Sequence, residues 1–193
     1  MKKLAVLVSG GGTNLQAVID ACKSGEINGQ IAVVISSNDE AYAIVRAKTN
    51  HIPSEVCSIK KYGSREKRDA EVLKLLKEYA VDYVILAGYL GIIPEEIIKE
   101  FPSKIVNIHP ALLPKFGGKD FYGIKVHQAV IGAGETESGA TAHFVTGELD
   151  GGPIICQQKL TVYKGDTAET LQKRILNEIE HPMIISVVKS LCE

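Results

Sequence analysis

Apolar positions follow two alternating spacings along this chain. Leu4-Ala5-Val6-Leu7-Val8 is an unbroken apolar run. After Ser9-Gly10-Gly11-Gly12-Thr13-Asn14, apolar residues recur at Leu15, Ala17, Val18, Ile19 and Cys22. The first spacing suits a strand buried on both faces, the second a helix with one buried face. The same alternation continues: a strand over Ile31–Ile35, a short helix over Glu40–Asn50, and a strand over Ser54–Ile59. A helix over about Arg65–Tyr79, a strand over Val81–Gly88, a helix primed by Pro94 and a strand over Ile105–Ile108 come next.

Strands alternating with helices predict an α/β fold: one Rossmann-like, doubly wound, mostly parallel sheet in a single domain over residues 1–193. The pattern changes beyond it. Phe116–Gly134 reads as a loop with a helical patch at Val126–Ile131, in which His127 is read as structural. Thr141–Val145 and Ile154–Gln157 read as strands, and Asp150-Gly151-Gly152 between them as a turn. Thr167–Leu191 reads as an amphipathic helix interrupted near Pro182.

Three stretches carry candidate chemistry. The strand–glycine loop–helix at the N-terminus is an anion site in outline, because backbone N–H groups and the helix dipole converge on the loop. A phosphate monoester is the preferred ligand. A dinucleotide is the alternative: Gly10-x-Gly12 begins that fingerprint and Asp39 could take a ribose, but Leu15 fills the third glycine position. Leu90-Gly91-Ile92-Ile93 forms an apolar loop that could line a pocket for a flat ligand. Finally, Asn107 and His109 stand two residues apart in a strand and so share a face. An amide can donate to a developing oxyanion, and an imidazole can carry a proton near neutral pH.

Composition narrows the classes. A formal charge of -1 supplies no global field for nucleic acid or an anionic membrane. Cys22, Cys57, Cys156 and Cys192 lie far apart without a Cys-x-x-Cys pair, which suits a reducing cytoplasm and offers no metal ligand set. The first apolar run is too short to span a membrane.

Ser-Gly-Gly-Gly-Thr-Asn-Leu-Gln at 9–16, Asn-x-His-Pro-x-Leu-Leu-Pro at 107–114 and His-Phe-Val-Thr-Gly-Glu-Leu-Asp-Gly-Gly-Pro at 143–153 together resemble the folate-dependent phosphoribosylglycinamide formyltransferases. The resemblance runs through the whole chain. It implies formyl transfer from 10-formyltetrahydrofolate, as co-substrate and without a metal, to the amine of 5'-phosphoribosylglycinamide in purine biosynthesis. It implies catalytic roles for Asn107, His109 and Asp150, and a phosphate site at Gly12, Thr13 and Asn14 with Glu180 at the ribose. Arg65 would stand near the folate, with Leu90, Gly91, Ile92, Ile93 and Asn107 around it. Asp150, as an anion near His109, is expected to raise its pKa. Gly91 departs from the arginine of many relatives, Phe116–Lys125 differs from the commonest loop, and Pro182 follows Glu180-His181 early.

The expected partners are small molecules, with no nucleic acid or membrane, for a cytoplasmic monomer or homodimer. A formyltetrahydrofolate deformylase is the alternative, using the same residues with water as acceptor. Relatives of that type carry an extra N-terminal domain, and tRNA-formylating relatives an extra C-terminal one. A chain whose first strand opens at Leu4 and whose last residue is Glu193 is expected to have neither. A nicotinamide-dependent oxidoreductase or a non-catalytic nucleotide-binding module would leave Asn107, His109 and Asp150 without a role. Leu113–Pro114, in a constrained turn beside the site, is a candidate cis bond.

Overall fold

The computed structural model describes residues 1–193. Seven strands form one sheet: β1 (Lys2–Val8), β2 (Gly29–Ser36), β3 (Ser54–Val56), β4 (Tyr83–Leu86), β5 (Ile105–His109), β6 (Glu137–Phe144) and β7 (Ile154–Thr161). Their order is β3-β2-β1-β4-β5-β6-β7. Pairing is parallel from β3 through β5, then antiparallel for β5–β6 and β6–β7. The doubly wound, mostly parallel α/β expectation therefore describes this chain. Sequence order reverses direction between β1 and β4, and in such sheets the crevice at that switch is where ligands bind.

The helices are α1 (Thr13–Ser24), α2 (Tyr42–Thr49), α3 (Ile59–Tyr62), α4 (Arg65–Glu78), α5 (Glu95–Glu100), α6 (Ile124–Gly132), α7 (Ala168–Ile175) and α8 (His181–Cys192). None is long and apolar enough to cross a membrane. Period-two alternation in the strands splits the core into two layers. From β1, Leu4, Val6 and Val8 pack with Leu15, Val18 and Ile19 of α1 and with Ile175, Val187 and Val188 of the C-terminal helices. Ala5 and Leu7 face the other way, onto Val72, Leu75 and Leu76 of α4 and Ile97 of α5. Each fully buried aliphatic side chain contributes about 1.5–3 kcal/mol.

One expectation needs correction and another takes a definite form. The third strand ends at Val56 rather than Ile59, because Ser58 caps α3: its hydroxyl accepts the Lys61 N–H at 3.1 Å. The interruption expected near Pro182 is present, as a widened turn and not as a break. A π turn over Leu176–Glu180 joins α7 to α8, with the His181 N–H bonded to the Leu176 carbonyl five residues back. The wider turn accommodates a proline ring that would otherwise press on a carbonyl one turn earlier, and helical backbone continues on both sides.

Candidate active site

Alternation along β5 decides what faces the site. Val106 and Ile108 join one core layer and Ile105 the other, so Asn107 and His109 project on the Ile105 side. The sheet register lines up Leu7, Leu86, Asn107 and His143 in one row. Beyond His109 the chain turns through Pro110–Pro114, with a cis Leu113–Pro114 bond. Thr141, fully buried on β6, pins this turn. It accepts the Leu113 N–H at 3.1 Å and donates to the Ala111 carbonyl at 2.7 Å.

Asp150 reaches the same place from the β6–β7 connection. Its φ is 55°, a left-handed conformation that L residues adopt at some cost. Gly152 beside it is required by space, since a Cβ there would collide with the Phe144 carbonyl oxygen. The Asp150 carboxylate accepts the Gly118 N–H at 2.8 Å. Its oxygens lie 3.6 Å from His109 Nδ1 and 3.6 Å from His143 Nε2, with Asn107 Nδ2 at 3.5 Å. The structure thus gathers Asn107, His109 and Asp150, which are scattered over 44 positions of sequence, around one carboxylate.

His143 completes this cluster, and sequence reasoning gave it no role. Its Nδ1–H donates to the Phe144 carbonyl at 3.0 Å, which leaves Nε2 to accept from the Asn107 amide at 3.1 Å. The bond fixes which way the Asn107 amide faces. Asn107 and His143 are register partners, so only the β5–β6 pairing reveals the contact. The nearest signal was that His143 opens one of the three motifs.

His109 donates Nε2–H to the Phe116 carbonyl at 2.7 Å and turns Nδ1 toward Asp150. Burial lowers its pKa, and the Asp150 charge opposes that without overcoming it. The expected upward push from Asp150 exists, but desolvation outweighs it and the net direction is down. Burial also resists ionisation of Asp150. The His143 and His109 rings and the Gly118 N–H more than offset it and hold the carboxyl below its ordinary value. At neutral pH the cluster is an imidazole beside a carboxylate.

Across the switch crevice, Gly12 precedes α1 with φ 72° and ψ 33°, and no side chain caps the helix. A Cβ at this position would meet Ala43 Cβ at 2.6 Å, so both conformation and space select glycine. The first-turn N–H groups of Thr13 and Asn14 have no intrahelical acceptor and are available to an anion. Asn14 is buried; its Nδ2–H donates to Glu180 at 2.8 Å, while its Oδ1 has no partner. The structure therefore brings Glu180 to the glycine loop, and burial raises its pKa despite the Asn14 bond.

Leu90, Gly91, Ile92 and Ile93 follow β4 on the other side of the crevice, with Leu90 61% and Ile92 52% exposed. The Leu90 N–H donates to Ser9 Oγ at 2.8 Å, tying this loop to the glycine loop. Arg65 opens α4 as an exposed residue, and no hydrogen bond or ion pair joins it to the β5 cluster. Asp39, the ribose candidate of the dinucleotide reading, instead accepts the Ser58 hydroxyl at 2.9 Å. His127 is fully buried, in keeping with a structural role.

Residues 2–188 match the formyl transferase family. A phosphoribosylglycinamide formyltransferase of Haemophilus influenzae is 43% identical over all of this chain and 88% of its own. Chloroplastic relatives of the same name from Arabidopsis thaliana and Vigna unguiculata are 45% and 44% identical, and this chain spans 66% and 61% of their lengths. The solved glycinamide ribonucleotide transformylase 1 of Symbiobacterium toebii superposes with a TM-score of 0.92 at 40% identity, over all of this chain and 88% of that one. A formyltetrahydrofolate deformylase from Pseudomonas syringae shares the fold (TM-score 0.89) at 27% identity, with 61% of that chain covered.

Proposed function

The chain belongs to the formyl transferase family, and from that premise we propose that it moves a formyl group from 10-formyltetrahydrofolate to the amine of 5'-phosphoribosylglycinamide, in purine biosynthesis. One observation carries the reading. The Asn107–His109–Asp150 cluster and an uncapped, glycine-headed helix stand on the same switch edge of the sheet. A phosphate at Gly12, Thr13 and Asn14 would hold the ribonucleotide, and Glu180 beside Asn14 would take the ribose hydroxyls. The exposed apolar side chains of Leu90 and Ile92, with the backbone of Gly91 and Ile93, suit a flat pteridine. Arg65 would act at the rim, toward the far end of the folate.

The formyl folate supplies a carbonyl carbon bonded to a nitrogen that can leave. As the amine attacks that carbon, Asn107, oriented by His143, would donate to the oxygen on which charge develops; such donors contribute about 10²–10³ in rate. His109, neutral at pH 7, would take the proton lost by the amine and return it to the departing folate nitrogen, worth about 10²–10⁴. Asp150 would stabilise the imidazolium in between. The reading requires no covalent enzyme intermediate and no metal. It treats residues 1–193 as one catalytic domain with small-molecule partners, active as a monomer or homodimer. The four unpaired cysteines suit a reducing compartment such as the cytoplasm.

The test is an absorbance assay of the purified protein with a 10-formyl folate, with and without the ribonucleotide. Folate product that appears only with the ribonucleotide is expected. Product released at the same rate without it would make water the acceptor and replace this reading with a deformylase. No product under either condition would overturn both.

A further inference from the structure

Arg68 on α4 is 3% exposed. Its guanidinium pairs with Asp69 at 2.5 Å and donates through Nη1 to the Tyr89 hydroxyl at 3.3 Å. A buried arginine is costly unless paired, and this one spends part of its bonding on a loop residue at the rim of the crevice. Tyr89 opens the loop that continues through Leu90 to Ile93, and its ring packs on the core layer beneath α4. The ring also lies across Gly91. A Cβ at position 91 would stand 2.5 Å from Tyr89 Cε1, 2.6 Å from Cζ and 2.7 Å from the hydroxyl oxygen. Gly91 has no left-handed φ, so the constraint there is one of space: a side chain at this position would have to displace the Tyr89 ring. The next amide, Leu90 N–H, is held by Ser9 Oγ, itself 2.5 Å from the Ser37 hydroxyl.

We propose that Tyr89, anchored by buried Arg68 in its ion pair with Asp69, is a positioning residue for the folate co-substrate. Its ring takes the space of a residue-91 side chain and sets the backbone course over which Leu90 and Ile92 present their apolar surface. This rests on the functional reading above. It also accounts for glycine at position 91 in this chain: arginine there and a docked Tyr89 ring are mutually exclusive. Recognition at this loop then depends on backbone groups and apolar contact, with no cation from position 91.

Steady-state kinetics on the full chain test the proposal, with each KM measured separately and melting temperatures alongside. Tyr89→Phe keeps the ring and loses the anchor. Folate KM is expected to rise about tenfold, the size of one hydrogen bond from a charged donor, while ribonucleotide KM stays within about twofold. Gly91→Arg must evict the ring and should raise folate KM by at least as much. Adding Tyr89→Ala to Gly91→Arg frees the space, so the double variant should bind folate better than Gly91→Arg alone. Unchanged folate KM in Tyr89→Phe with only a lower melting temperature, equal changes in both KM values, or no relief in the double variant would each overturn the proposal. Failure of the functional reading is distinguishable, because the unmodified protein would then show no ribonucleotide-dependent transfer.

Discussion

The two sides of the crevice are built from different materials. At the glycine loop the groups facing a ligand are backbone N–H donors, set by a local turn of a few consecutive residues and by the start of α1. At the end of β5 they are side chains from two distant segments, brought together by strand pairing and by a strained residue in the β6–β7 connection. A backbone site carries partial charges that do not titrate, so it can hold a permanent anion over a wide pH range. A side-chain cluster titrates and can move protons, at the cost of burying groups that resist being charged. In the proposed function, binding thus falls to the part that is constant and chemistry to the part that changes.

The sharpest way to break this division is Asp150→Asn. Turnover should fall by about 10²–10⁴-fold with little change in ribonucleotide KM or melting temperature. Because the Asp150 charge props up the His109 pKa, its loss should also move the acid limb of the residual pH–rate profile to lower pH. Near-normal turnover would remove Asp150 from the chemistry. A second consequence concerns stability. His127 is buried without a partner for either ring nitrogen, and its pKa is lowered to about 4. Below pH 6.5 the unfolded chain takes a proton that the folded chain refuses until about pH 4, so this contribution is complete above 6.5 and is lost on acidification. His127→Leu should therefore remove about 2 kcal/mol of the stability loss between pH 7 and pH 5, read by urea unfolding. Identical losses in both proteins would refute that role.

Smaller effects are expected across the crevice. Gly12→Ala places a Cβ against Ala43 in a left-handed turn and should raise ribonucleotide KM about tenfold while leaving folate KM near its original value. Equal increases in both would mean that the two loops respond as one body through Ser9. The mildest change is Glu180→Gln, which keeps an acceptor for Asn14 and removes a charge already disfavoured by burial. A rise of about threefold in ribonucleotide KM, with kcat unchanged, is expected. A collapse of kcat would place Glu180 in the chemistry instead.

The same contrast explains what could be read from the sequence. Continuous apolar runs marked the parallel strands, and the glycine loop was legible because all its parts are adjacent. Asn107 and His109 were legible as a pair because period two places them on one face. Three features needed the third dimension. His143 reads as one more strand residue until register sets it opposite Asn107. The net direction of the His109 pKa depends on how completely the folded chain buries the ring, which pairwise charge reasoning omits. The early end of β3 depends on whether Ser58 continues a strand or caps a helix, and both conformations suit the local sequence. At the C-terminus, Pro182 marked an irregularity, but proline does not dictate that the backbone widens ahead of it instead of breaking.

That widening gives the C-terminal rod an indel tolerance that point substitutions do not reveal. A π turn is an α-helix carrying one surplus residue. Removing any one residue from 176–180 would let the turn relax to ordinary α-helix while α8 keeps its phase, because the wider turn absorbs the surplus residue locally. Val187 and Val188 would then stay on α1, whereas the same deletion inside α8 would turn every residue beyond it by about 100°. Homologous rods can therefore differ by one residue in this stretch and keep the same buried face, so that a single-residue gap here reports a change of length and not of helical face.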